Sequence, residues 1–221
     1  TIGQNNGGTD LMNIRKKIRY IWDYYRWTFF LLAAAGLLLF YIGDMVYKSS
    51  QTIDLQGFFI NDSQNHFPAG RISEDFSEYA KTAPGHRIAF DDSLLIDLDS
   101  GRHYHTSSQS KLMAYIAAKE LDFLVAPESL ARFYARSFPL LDFNQLLPAD
   151  LKDRLREDLI FGTDGTGKQK AWGLDLRHSR FLEEPGNPPG EPYYLLILSY
   201  TPHSGTLISF LHYSYQEPLP D

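Results

Sequence analysis

Several short stretches carry side chains able to do chemistry, and each implies a different kind. Gly162–Lys168, GTDGTGK, has the G-x-x-x-x-G-K spacing of a phosphate loop. The next residue is Gln169, where magnesium binding needs a Ser or Thr hydroxyl, and the following QKAWGLDL reads as a strand. This stretch is therefore a turn. DLDSGRHYH places Asp97, Asp99, His103 and His105 close in sequence, a donor set of hard oxygens and imidazoles that could hold a metal. His103 and His105 would share a side only on a strand. A glycine-containing loop is expected there, and no metal. Thr106, Ser107, Ser108 and Gln109 open the clearest helical pattern outside the N-terminal segment. Hydroxyls and unpaired N–H groups at a helix start can receive a polar or anionic ligand. The same groups also satisfy plain N-capping. Asp91 and Asp92 would be plausible neighbours in such a site, and equally a strand-edge pair. These six are the candidate ligand-binding residues. The aromatic series Tyr193, Tyr194, Tyr200, Phe210, Tyr213 and Tyr215 could stack on a sugar, or fill core and sheet surface.

Composition removes other chemistries. The chain of 221 residues has no cysteine, so thiol catalysis, disulfides and thiolate metal sites are excluded. Its net charge is -6, and the first fifty residues carry six Lys and Arg against three Asp and Glu, so the remainder, with 15 against 24, is distinctly acidic. A nucleic-acid surface would need a basic face. No nucleophile elbow signals a hydrolase. No enzymatic activity and no cofactor are expected.

One element must position everything else. Thr28–Gly43, TFFLLAAAGLLLFYIG, contains no charge, and with its flanks the apolar run covers residues 28–47. At about 1.5 Å per residue such a helix crosses a hydrocarbon core of roughly 30 Å. A soluble core helix would show a polar stripe, and this one shows none. Arg15, Lys16, Lys17, Arg19 and Arg26 precede the run, whereas Lys48 alone follows closely. That asymmetry predicts a cytoplasmic N-terminus and an extracellular C-terminal domain. Trp22, Tyr24, Tyr25 and Trp27 fit an inner aromatic belt, and Tyr41 and Tyr47 an outer one. No small-x-small cleavage site follows, so the segment reads as an uncleaved signal anchor. Residues 1–10 are expected to be a disordered tail, 11–27 a basic juxtamembrane helix, 48–53 a linker and 54–221 the outer domain.

Within that domain strands are expected at Ile53–Ile60, Arg87–Leu98 (one long strand or a pair) and Leu121–Ala126. A hairpin of Asp158–Phe161 and Ala171–Leu176 and a central strand at Tyr193–Tyr200 complete the set. Helices are expected at Ile72–Lys81, Thr106–Glu120, Pro127–Ala135, Leu141–Leu155 with a break at Pro148, and Thr206–Tyr215. Alternation of this kind predicts an α/β layered domain around a mixed sheet.

Residues Lys111–Leu151, KLMAYIAAKELDFLVAPESLARFYARSFPLLDFNQLLPADL, resemble a segment of extracellular solute-binding proteins of the sugar-binding type. Leu140-Leu141-Asp142-Phe143 stands for their "Leu-x-Asp-Leu" turn. WGLDLRHSRFLEE and the terminal YYLLILSYTPHSGTLISFLHYSY are similar to their late strands and helix. The chain also resembles small membrane-anchored bacterial proteins of unassigned function. These share a WDYY-x-W approach to the span, here Trp22–Trp27, and a TSSQKLMA-like helix start, here Thr106–Ala114. The resemblance implies one lobe of a periplasmic-binding-protein type 2 fold behind a single transmembrane helix. Two such lobes exceed the usual single-domain size of about 250 residues, and the stretch from Leu155 to Tyr193 is too short for a second one. The resulting expectation is a non-catalytic domain that binds a small polar solute or a partner protein near Thr106–Gln109. The alternative is a scaffolding subunit of a membrane complex. A transporter or membrane-complex partner is implied in either case.

Overall fold

The computed structural model describes residues 7–49, 51–97, 103–163, 169–182 and 190–215. The chain divides between Gln51 and Thr52 into two compact units. The first holds helix α1, Gly7–Ser49. The basic juxtamembrane piece is thus continuous with the apolar run, and helix already begins within the expected tail. Its Tyr25–Val46 segment is long and apolar enough to cross a membrane, and none of it is buried within the protein. Leu37, Leu39 and Phe40 expose 70% or more of their surface, which a soluble core helix would not do.

The second unit is a mixed α/β domain on six strands: β1 Thr52–Ile60, β2 His86–Leu94, β3 Phe123–Pro127, β4 Leu159–Thr163, β5 Gln169–Asp175 and β6 Tyr193–Ile197. Their order is β2-β1-β3-β6-β5-β4. The first three are parallel, because β1 and β2 are joined through helix α2, Ala69–Tyr79, and β2 and β3 through helix α3, His103–Ala118. Strand β6 returns antiparallel between β3 and β5, and β4 and β5 form the expected hairpin. The chain steps from β1 outward to β2, then crosses back to β3 on the other side of β1. The sheet therefore has a topological switch point at the carboxyl ends of β1 and β3.

Central strands read as unbroken apolar runs because both their faces are covered. Successive side chains point to opposite faces, so Phe59, Phe123 and Leu195 enter one core while Phe58, Leu124 and Leu196 enter the other. The first core is closed by α2, by the short helices α5 (Phe143–Leu146) and α6 (Ala149–Arg154), and by α7 (Ser204–Ser214). Helix α3 and helix α4, Glu128–Ser137, close the second. Tyr193, Tyr194, Phe210 and Tyr213 are buried in these cores, so these four of the aromatic series fill core and sheet surface.

Some boundaries depart from expectation for local polar reasons. Helix α2 begins at Ala69, not Ile72, because the Ala69 N–H finds the Asp92 carboxylate at 2.9 Å directly after Pro68. Strand β2 stops at Leu94. The Asn61 side chain then takes both backbone groups of Ile96, accepting from its N–H at 2.7 Å and donating to its carbonyl at 2.8 Å. Helix α1 reaches Ser49 and β1 starts at Thr52, so the junction is shorter than the 48–53 linker.

Candidate functional site

Of the six sequence-derived residues, Asp91 is drawn to helix α3, which carries Thr106–Gln109, by its pair with Lys111, whereas Asp92 faces the other layer. Helix α3 starts at His103, so Ser107, Ser108 and Gln109 lie beyond the four N–H groups that a helix start leaves open. Ser108 is buried, Gln109 half-buried, and Thr106 and Ser107 are exposed. Asp91 and Asp92 are consecutive on β2 and so face opposite layers. Asp91 turns towards α3 and pairs with Lys111. Asp92 turns towards α2 and holds Ala69. Burial pushes the Asp91 carboxyl up, but the Lys111 ammonium and Ser93, whose N–H donates at 2.8 Å, outweigh it and leave it below the ordinary aspartate value. The pair ties β2 to α3. Of the metal candidates, Asp99 and the side chains of His103 and His105 lie outside what is described, and no group of acidic or histidine side chains among the described residues could hold a metal ion. Residues 164–168 of GTDGTGK also lie outside them. Strand β5 follows at Gln169, which agrees with a hairpin.

The polar geometry that sequence reasoning missed gathers at the switch point. After β1, Asn61 adopts φ +60, a left-handed conformation that asparagine tolerates, and its side chain is clasped to Ile96. Asp62 then folds the following loop, accepting from the His66 N–H at 2.8 Å and the Phe67 N–H at 2.6 Å. The Tyr193 hydroxyl donates to the Asn61 carbonyl at 3.0 Å and closes the loop against β6. At the end of β3, the Glu191 carboxylate accepts from the Ser129 N–H at 2.5 Å, at the start of α4. Between these parts lies a recess of about 450 Å³ lined by Asn61, Gln64, His66, Pro127, Glu191 and Tyr193. A second recess of about 430 Å³ shares Gln64 and His66 as a common wall and adds Arg71, Asp75, Arg180 and Tyr213. The His66 Nε2 lies 2.8 Å from the Gln64 Oε1, which fixes that wall.

The same end of the sheet carries a charged network on the α4 side. Glu128 bonds Arg132 at 2.6 Å, and Asp175 bonds Arg177 at 2.7 Å. Tyr194 sits beneath the Arg132 guanidinium, 5.9 Å from its ring centroid. The hydrogen bond from Arg132 holds the Glu128 carboxyl below its ordinary value. Buried Asp158 takes His178 Nδ1 at 2.6 Å. At the opposite end, buried Asp122 accepts from the Gln56 N–H at 2.7 Å and from the Thr201 hydroxyl at 2.5 Å, with His203 Nδ1 at 3.0 Å. This last cluster locks β1, β3 and the approach to α7. The sequence did hold a signal for it: a lone Asp in the apolar run LDFLVA.

No protein-family model matches the chain, and no curated protein is significantly similar to it. What the site can do is therefore read from its own groups. It offers amide, carboxylate, guanidinium and imidazole partners for hydrogen bonding in two adjoining recesses that share the Gln64 and His66 wall.

Proposed function

We propose that this chain is a membrane-anchored, non-catalytic binding domain that takes a small polar solute at the carboxyl ends of β1 and β3. One observation carries the reading: a recess of about 450 Å³, with Asn61, Gln64, His66 and Glu191 among its lining, lies at the topological switch point, where open α/β sheets bind ligands. The resemblance to one lobe of a solute-binding protein supports it, and a mixed sheet with helices on both faces is compatible with such a lobe. With a single lobe, capture relies on the preformed recess or on a membrane partner such as a transporter subunit that covers it. The charge asymmetry around α1 supports an N-terminus in the cytoplasm and a binding domain outside the cell.

Thermal unfolding of the full chain in detergent, followed through tryptophan fluorescence against sugars, amino acids and short organic acids, tests this. A solute at about a hundred times its Kd stabilises by about 2.7 kcal/mol. In a domain of this size that raises the midpoint by roughly 5–10 °C. Gln64→Ala and Glu191→Gln should reduce the shift. A flat panel, with membrane proteins co-purifying stoichiometrically, would replace this reading with a scaffolding one.

A further inference from the structure

The second recess carries a charge preference of its own. It presents two guanidinium groups, Arg71 and Arg180, against one carboxylate, Asp75. Arg180 is held at its root, its N–H donating to the Ser214 carbonyl at 2.9 Å. Its guanidinium lies 4.4 Å from the Tyr213 ring centroid. A stacked guanidinium is oriented through its face and keeps its N–H edge for a planar oxyanion. Arg71 stands on the first turn of α2, with its Nε 3.9 Å from Asp75. Both of those side chains are largely exposed, so the pair is weak and Arg71 is not committed to it.

We infer that the recess between α2 and Arg180 binds one singly charged oxyanion, and that the solute of the neighbouring recess is therefore an acid rather than a neutral sugar. The inference rests on the solute-binding reading above. Two guanidinium groups less one carboxylate leave a single positive charge. A monoanion neutralises it, whereas a dianion would leave an uncompensated charge beside Asp75 in a chain of net charge -6. Across the shared wall of Gln64 and His66, the neighbouring recess carries Glu191, which accepts from hydroxyl or ammonium donors on the polar remainder of the solute. A carboxylate and a phosphate ester offer the same oxygen edge to the arginines, and the test separates them by charge.

Thermal midpoints of the full chain in detergent are measured with about 10 mM lactate, glucuronate and N-acetylglycine. The uncharged counterparts are lactamide, glucose and N-acetylglycinamide, and glucose 6-phosphate is the dianionic probe. At least one carboxylate should raise the midpoint by about 3 °C or more, with its uncharged counterpart and the phosphate ester giving less than a third of that shift. Arg180→Gln should abolish the shift. Arg71→Gln, at an exposed position where folding is not at stake, should weaken it several-fold. Neutral solutes shifting the midpoint as much as their acids would overturn the inference and leave the solute-binding reading standing. A stronger effect of the phosphate ester would overturn the single-charge argument. No shift from any probe defeats both, as does a carboxylate shift retained in both variants, because the carboxylate is then bound elsewhere.

Discussion

Asp91 shows how one residue can be chemically conspicuous and structurally employed. Its folded-state value lies below that of an unfolded aspartate, about 3.9. The Asp91–Lys111 pair therefore contributes stability above about pH 4 and loses it as pH falls through the lower folded value. The pair is partly exposed, so the contribution is about 0.5–1 kcal/mol. Melting curves of the parent and Lys111→Met between pH 2 and 7 should differ near neutrality and converge in acid; a constant gap would assign the effect to packing. Tyr200 makes the opposite case. Its hydroxyl is buried without a hydrogen-bond partner among the described residues, and burial together with Asp122 pushes the phenol up to about 12. An unfolded phenol ionises near pH 10 while the folded one stays neutral, so the ionisation of Tyr200 lowers stability as pH rises above about 10. At neutral pH the orphaned hydroxyl is a net cost, and Tyr200→Phe should leave the midpoint unchanged or raise stability by about 1 kcal/mol. A loss of more than about 1 kcal/mol in chemical denaturation would mean that this hydroxyl has a partner.

At the scale of elements, Gly57 controls how the parallel strands meet. It pairs directly with Phe123 across the β1–β3 ladder. A Cβ built on it would stand 2.2 Å from the Phe123 ring, which is itself fully buried. That ring lies over the glycine and continues into a cluster with Phe59, Phe90 and Phe210. Gly57→Ala should cost about 1–3 kcal/mol in urea unfolding through overpacking. A smaller loss would show that Phe123 can swing aside. The elements themselves were largely legible. Unbroken runs such as YYLLI and alternating helical spacing depend on burial, which is periodic in sequence. The boundaries were less so, and for one reason: the start of α2 and the end of β2 are set by Asp92 and Asn61 side chains reaching 23 and 35 residues along the chain. Such partners have no local signature. The same reason hid the recess, whose walls come from the loop after β1, the segment before β6 and helices α2 and α7. The start of α3 departs from the expected Thr106: the hydroxyl-rich Thr106–Gln109 stretch lies inside a helix that runs from His103 to Ala118.

For the whole molecule, two physical facts combine. Among the described residues, one helix is long and apolar enough to cross a membrane, and a six-stranded mixed sheet carries a recess at the point where its strand order reverses. The first was plain in the sequence because lipid demands an unbroken apolar length. The second follows from topology, which only the paired strands reveal. Saturation-transfer NMR of the full chain in lipid nanodiscs, with sugars, amino acids and short acids presented together, reads the central claim without relying on stability. The account predicts saturation of at least one small polar solute, reduced several-fold by Glu191→Gln or Gln64→Ala. Saturation of none, or of a solute equally bound by both variants, would contradict it.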